Sequence, residues 1–351
     1  MCIRDSSTII GGCCNTISCS SCQSVIIGGS ENDIINDNEG SVIIGGYDNR
    51  ICCGSDYSSI IGGYENCINS SCESVIVGGC SNEICSSSFD STIIGGRNNS
   101  ISCCSINTSI VGGSCNQIFG STASGESCNS SIIGGYCNQI VCDTNNSSII
   151  GGYCNKIVGY GGSGLNSIIG GCGNTICCSD HSSIVGGCYN KIYGESDYSV
   201  IIGGECGLIL ETESSAIIGG CCNSICVGGP NEGGFSVILG GTDNTLGCYS
   251  DNSGILGGCC NTINCFSTNS SIIGGESNLI ITSGLTASCG GGYCDVCLGG
   301  NSIIGGLTNS IIDSENSVIL GGTGLTLATQ SNTVLVPHLK INNLDVCNTD
   351  D

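Results

Sequence analysis

Cys13 and Cys14, Cys221 and Cys222, and Cys259 and Cys260 each stand directly after a Gly-Gly pair. The chain holds 34 cysteines in 351 residues. Thiols at that density offer disulfide bonding, ligation of soft metals such as Zn or Cu(I), or packing as small fillers. Thirteen of them occupy the two positions after a Gly pair, and another group, including Cys52, Cys53, Cys103, Cys142, Cys177 and Cys178, recurs in a second turn. Cys294 and Cys297, in "CDVC", have zinc-ligand separation, but no second pair accompanies them, so no metal and no cofactor is expected. His181 and His338 are the only histidines, each alone, and no Asp or Glu pair recurs that would serve as acid and base. No catalytic residue is expected, and the chain does not read as an enzyme.

Charge narrows the partners. The formal net charge is −23, from 29 acidic and 6 basic residues. Phosphate binding needs clustered Lys and Arg, so nucleic acid is excluded as a partner. The acidity reads as a solvated surface. No apolar run reaches the length of a membrane span, so membrane insertion is not expected.

Whatever the cysteines do, a repeat positions them. Gly-Gly pairs preceded by two aliphatics recur eighteen times between Gly11 and Gly322, mostly at steps of 16 or 17 residues. A worn copy lies in "SCGGGYCDV", where Cys289 and Gly290 replace the aliphatics. Two residues before each clear pair stands Ile, as at Ile26, Ile43, Ile60, Ile132 and Ile149. Three residues after the pair stands Asn in all but two copies, as at Asn49, Asn66, Asn138 and Asn155, and five after it Ile or Leu. Gly-Gly in mid-segment and β-branched richness oppose helix. Gly and Asn accept positive φ, so "GGxxN" reads as a turn between two short strands. Residues of one column then stack about 4.8 Å apart. The fold class is all-β: a parallel β-solenoid with two short strands per coil. A three-sided coil would want an aliphatic every six residues, which the chain lacks. Residues 7–327 form the repeat domain of about nineteen coils, a rod of roughly 90 Å. Residues 1–6, "MCIRDS", read as a non-native leader, and 328–351, where the Gly pairs stop, as a cap or connector.

In "SSIIGGYCNQI" the adjacent Ile132 and Ile133 must point to opposite faces of a strand. One fills the coil and the other forms an outer aliphatic stripe that a monomer would rarely expose. Self-association along that stripe is the expected solution. Cys115, Cys137 and Cys154 share a column in three successive coils, close enough in Cα spacing for a disulfide ladder to which Cys221 and Cys222 are also candidates. Such staples would imply an oxidising, extracellular setting. Tyr47, Tyr64, Tyr136 and Tyr153 follow their Gly pairs and are candidates to face a ligand, or else cover the turn.

The motif "SSIIGGYCNQI", in phase over nearly the whole chain, resembles the repeats of trimeric autotransporter adhesin heads of the YadA type. It is closer still to the "TVGGGYSNTASG" repeats of related bacterial, phage and algal-virus fibre proteins. "SNTVLVPHLKI" looks like the segment that leaves the β-roll in phage-type tail fibres. The resemblance implies a left-handed β-roll, a homotrimer, and a surface-displayed head on a cell or virion that attaches to a glycan or protein of a host cell or matrix. An ice-binding solenoid and a purely structural, disulfide-stapled filament are the alternatives.

Overall fold

The computed structural model describes residues 6–337, apart from 19, 121–128, 143, 161–163, 227–233, 265, 282–286, 299, 313 and 315. Among the described residues every regular element is a β-strand of two or three residues. The chain divides into two compact units, one running through Cys222 and the other from Asn223 onward. Both are parallel β-solenoids with two strands per coil, about 18 coils in all.

In the first unit, the first strands of successive coils run from Thr8–Ile10 to Ala216–Ile218, and the second strands from Thr16–Ile17 to Leu208–Leu210. Each strand pairs in parallel and in register with its counterpart one coil away: Ile132 lies between Ile110 and Ile149, and Ile140 between Ile118 and Ile157. The second unit repeats the arrangement, with Ile238 beside Ile255 and Ile263 beside Ile280. The worn copy keeps its place there, as Cys289 is paired between Ile272 and Ile303.

The interior is one side chain deep. Ile26, Ile43, Ile60, Ile132 and Ile149 from the first strands, and their partners such as Ile140 from the second, are fully buried. Two buried isoleucines give a coil about 3–6 kcal/mol. That is little for sixteen or seventeen ordered residues, so the corners must contribute. They do so through side-chain ladders. Asn138 donates its backbone N–H to Asn116 Oδ1 at 3.0 Å and accepts from the Asn155 N–H at 3.0 Å. Its Nδ2 donates to the carbonyls of Gly134 at 3.4 Å and Gly152 at 3.3 Å. Asn49, Asn66 and Asn155 sit equally buried in the same column. At the other end of the coil serines repeat the device: Ser58 N–H donates to Ser41 Oγ at 3.3 Å, and Ser41 Oγ donates to the Ser55 carbonyl at 2.8 Å. The buried Asn and Ser side chains of these ladders are tolerable because they find partners one coil away.

Candidate functional site

A strand turns alternate side chains to opposite faces. With Ile132 fully buried, Ile133 stands 47% exposed, and the same division holds at each first strand from Val25–Ile27 to Ala216–Ile218. The exposed residue is Ile or Val in every coil of the first unit, from Ile10 to Ile218, and includes Leu239, Leu256, Ile304 and Leu320 in the second. The column beside it carries only small or β-branched residues, such as Val25, Ser59, Thr92, Ser131 and Ala216. No first strand among the described residues contains a charged side chain. Second strands do: Asp33, Arg50, Glu83, Lys156 and Lys191 lie on them, and Arg50 meets Asp33 at 3.7 Å. A pair that exposed contributes little to stability. In the first unit the neutral stripe is thirteen rungs long, roughly 60 Å at the strand spacing.

The corners carry the remaining candidates. Tyr47 stacks on Tyr64 with ring centroids 5.5 Å apart, and Tyr136 on Tyr153 at 5.3 Å, all four exposed. The tyrosine row is therefore two separate pairs, with Cys80, Arg97 and Ser114 holding the column between them. Within a pair the facing ring surfaces are spent on each other, so a ligand would meet edges and outer faces. Tyr47 donates its hydroxyl to Glu31 at 2.9 Å, and that hydrogen bond to a carboxylate raises the phenol above its ordinary range.

The expected disulfide ladder is not formed. Cys115, Cys137 and Cys154 do occupy one column, each next to the paired residues Ser114, Tyr136 and Tyr153. No sulfur pair among the described cysteines is at bonding distance, and Cys221 and Cys222 stand 3.3 Å apart, well beyond a bond of about 2.05 Å. Parallel, in-register stacking explains it. The Cα spacing of about 4.8 Å suits a disulfide, but the Cβ vectors run parallel and stay that far apart, whereas a disulfide needs Cβ atoms about 3.8 Å apart. The "CDVC" spacing also fails to make a ligand pair, because Cys297 is fully buried and Cys294 lies partly exposed at a corner. His181 is an exposed turn residue stacked on Tyr198 at 4.7 Å, and His338 falls outside the described residues.

One residue escaped the reading of the repeats. The worn coil puts Asp295 in the asparagine column, fully buried, and Cys297 in the second isoleucine column. Extending its alignment past the Gly pair would have found both. Asp295 N–H donates to Asn278 Oδ1 at 3.1 Å, and Asp295 Oδ1 accepts from Asn309 N–H at 2.8 Å. Its Oδ2, placed where other coils have an amide NH₂, has no partner. Burial raises the carboxyl above its ordinary range against the lowering effect of the Asn309 hydrogen bonds. The folded state thus holds a proton that the unfolded chain gives up. Stability from this group is full below the ordinary carboxylate range, about 4, and is lost as pH rises through the elevated folded value. Asp295→Asn should restore the missing donor and stabilise the second unit by about 1–3 kcal/mol at neutral pH, with a smaller gain in mild acid. Urea midpoints of both proteins across that pH range check it.

Comparison of the chain with protein-family models and with curated proteins finds no match.

Proposed function

We propose that the chain is a structural fibre or adhesin head, displayed on a cell or virion surface, that assembles side by side with copies of itself and attaches to a host cell or matrix surface. The observation that carries this reading is the neutral aliphatic face. A chain of net charge −23 repels its own copies everywhere except where charge is absent. The first strands supply such a surface on every coil, and each side chain buried there returns about 1.5–3 kcal/mol when fully covered. The repeat's resemblance to adhesin heads supplies the number three and the attachment role. The stacked tyrosines, on a corner beside that face, are the groups best suited to meet a glycan or protein.

Sedimentation velocity tests the assembly. The wild-type chain should sediment as a trimer. Ile133→Lys with Ile150→Lys places two charges mid-stripe and should give monomers of unchanged circular dichroism, because both side chains face solvent within one chain. Gln139→Lys, on a second strand, should leave the trimer intact. Binding of the trimer to cells or immobilised glycans tests the attachment. A monomeric wild-type chain that depresses the freezing point would replace this reading with the ice-binding one.

A further inference from the structure

Neighbouring side chains on a strand diverge, yet neighbouring thiols converge at three corners that follow a Gly pair, and Cys177 and Cys178 do so at 3.0 Å in a second turn. Cys13 and Cys14, Cys221 and Cys222, and Cys259 and Cys260 bring their sulfurs to 3.2, 3.3 and 3.2 Å. The cause lies in the backbone after the Gly pair. Cys14, Cys222 and Cys260 adopt left-handed conformations, with φ of 56°, 56° and 57°, which swing the second side chain to the same side as the first. The geometry belongs to the coil rather than to one neighbourhood, since it recurs in both units. In each of these three pairs at least one thiol is exposed to solvent.

The sulfur separation selects the ligand. With sulfur bonds of about 2.3 Å, a tetrahedral centre needs sulfurs about 3.8 Å apart and a linear one about 4.6 Å, whereas a right-angled centre needs about 3.3 Å. The observed distances match the last. Among the described residues no group of three or more His, Cys, Asp or Glu side chains converges as a metal site would require, so each pair reads as a two-ligand site. Zinc sites of the structural kind take four. A pyramidal trivalent centre that takes two thiolates and keeps one substituent of its own fits both facts.

We propose that these vicinal thiol pairs are preformed chelating sites for a trivalent thiophilic metalloid, of the arsenical class. With an organoarsenic oxide the step is a condensation. Two S–H bonds and the arsenic–oxygen bond break, two As–S bonds form, and the two protons leave with the oxygen as water. Arsenic stays trivalent throughout, so no oxidant or reductant is needed. Hydrogen bonding between partners supports the pairing, since Cys13 raises the Cys14 thiol above its ordinary range and Cys260 does the same to Cys259.

The test uses the full chain, reduced and then freed of reductant, titrated with phenylarsine oxide and examined by intact-mass spectrometry. Each of Cys14→Ser, Cys222→Ser and Cys260→Ser should lower the number of bound arsenicals by one, and the triple variant by three. Cys80→Ser removes a corner thiol whose sequence neighbour is Ser81, and should leave the number unchanged. A small dithiol should strip the adducts while an excess of monothiol leaves them in place. Equal losses from Cys80→Ser and from the pair variants, no loss from the pair variants, or removal by monothiol would each overturn the proposal.

Discussion

Asn138→Ala should cost the first unit about 2–6 kcal/mol, read as a fall in the urea midpoint. The side chain serves three backbone groups at once. Its Oδ1 is the acceptor for the Asn155 N–H, and its Nδ2 serves the Gly134 and Gly152 carbonyls. Gly152 O keeps the Tyr136 N–H at 3.0 Å, so its loss is the smallest. The Asn155 N–H is left buried without its acceptor, at about 1–3 kcal/mol, and the two donated bonds add about 0.5–1.5 kcal/mol each. Asn138→Leu separates these losses from the cavity, because it fills the space but supplies no acceptor. If the leucine variant is as stable as the parent, the ladder is packing rather than hydrogen bonding. Within the first unit the chain itself contains one gap in the column. Gly207 takes the asparagine position, still donating its N–H to Asn190 Oδ1 at 2.8 Å but offering no side chain onward.

The two outward columns and the two inward isoleucines per coil were legible because strand alternation converts a position in the repeat directly into a face. Ile132 and Ile133 needed no structure to be set apart. The hydrogen-bond ladder was less visible. Asparagine after Gly-Gly reads as a turn residue on conformational grounds, yet Asn138 is held by what its amide reaches in the coils on either side. That is a property of the stack and not of the turn. The cysteines misled for a related reason. Their column positions were read correctly, but Cα spacing alone says nothing of how Cβ vectors are aimed, and the left-handed residue at Cys222 points its thiol toward a sequence neighbour. Asp295 was hidden by the erosion of its own copy, which lost both isoleucines of its two strands.

The Gly pair itself is asymmetric, and its two halves should answer mutation differently. Gly134 has φ of 68° and open space where a Cβ would stand. Gly134→Ala should therefore cost about 1–2 kcal/mol, the ordinary penalty of a left-handed L-residue. Gly135 has φ of 82°, and its Cβ would land against the Asn138 amide nitrogen and 2.5 Å from the Gly152 carbonyl oxygen. Neither can retreat cheaply. The amide is pinned by the ladder, and Gly152 belongs to the next coil, where it accepts the Tyr136 N–H. Gly135→Ala should exceed about 4 kcal/mol, in the range that marks a broken structural rule. Because coils in a solenoid contact mainly their neighbours, the damage should stay local. Hydrogen exchange should show lost protection at 131–158 in the Gly135 variant, with coils near Ile43 unchanged, and little loss anywhere in the Gly134 variant. Equal exchange in the two variants would mean that the second glycine is not held by the approach of the next coil, and that the pair is a flexible turn rather than the contact on which successive coils are stacked.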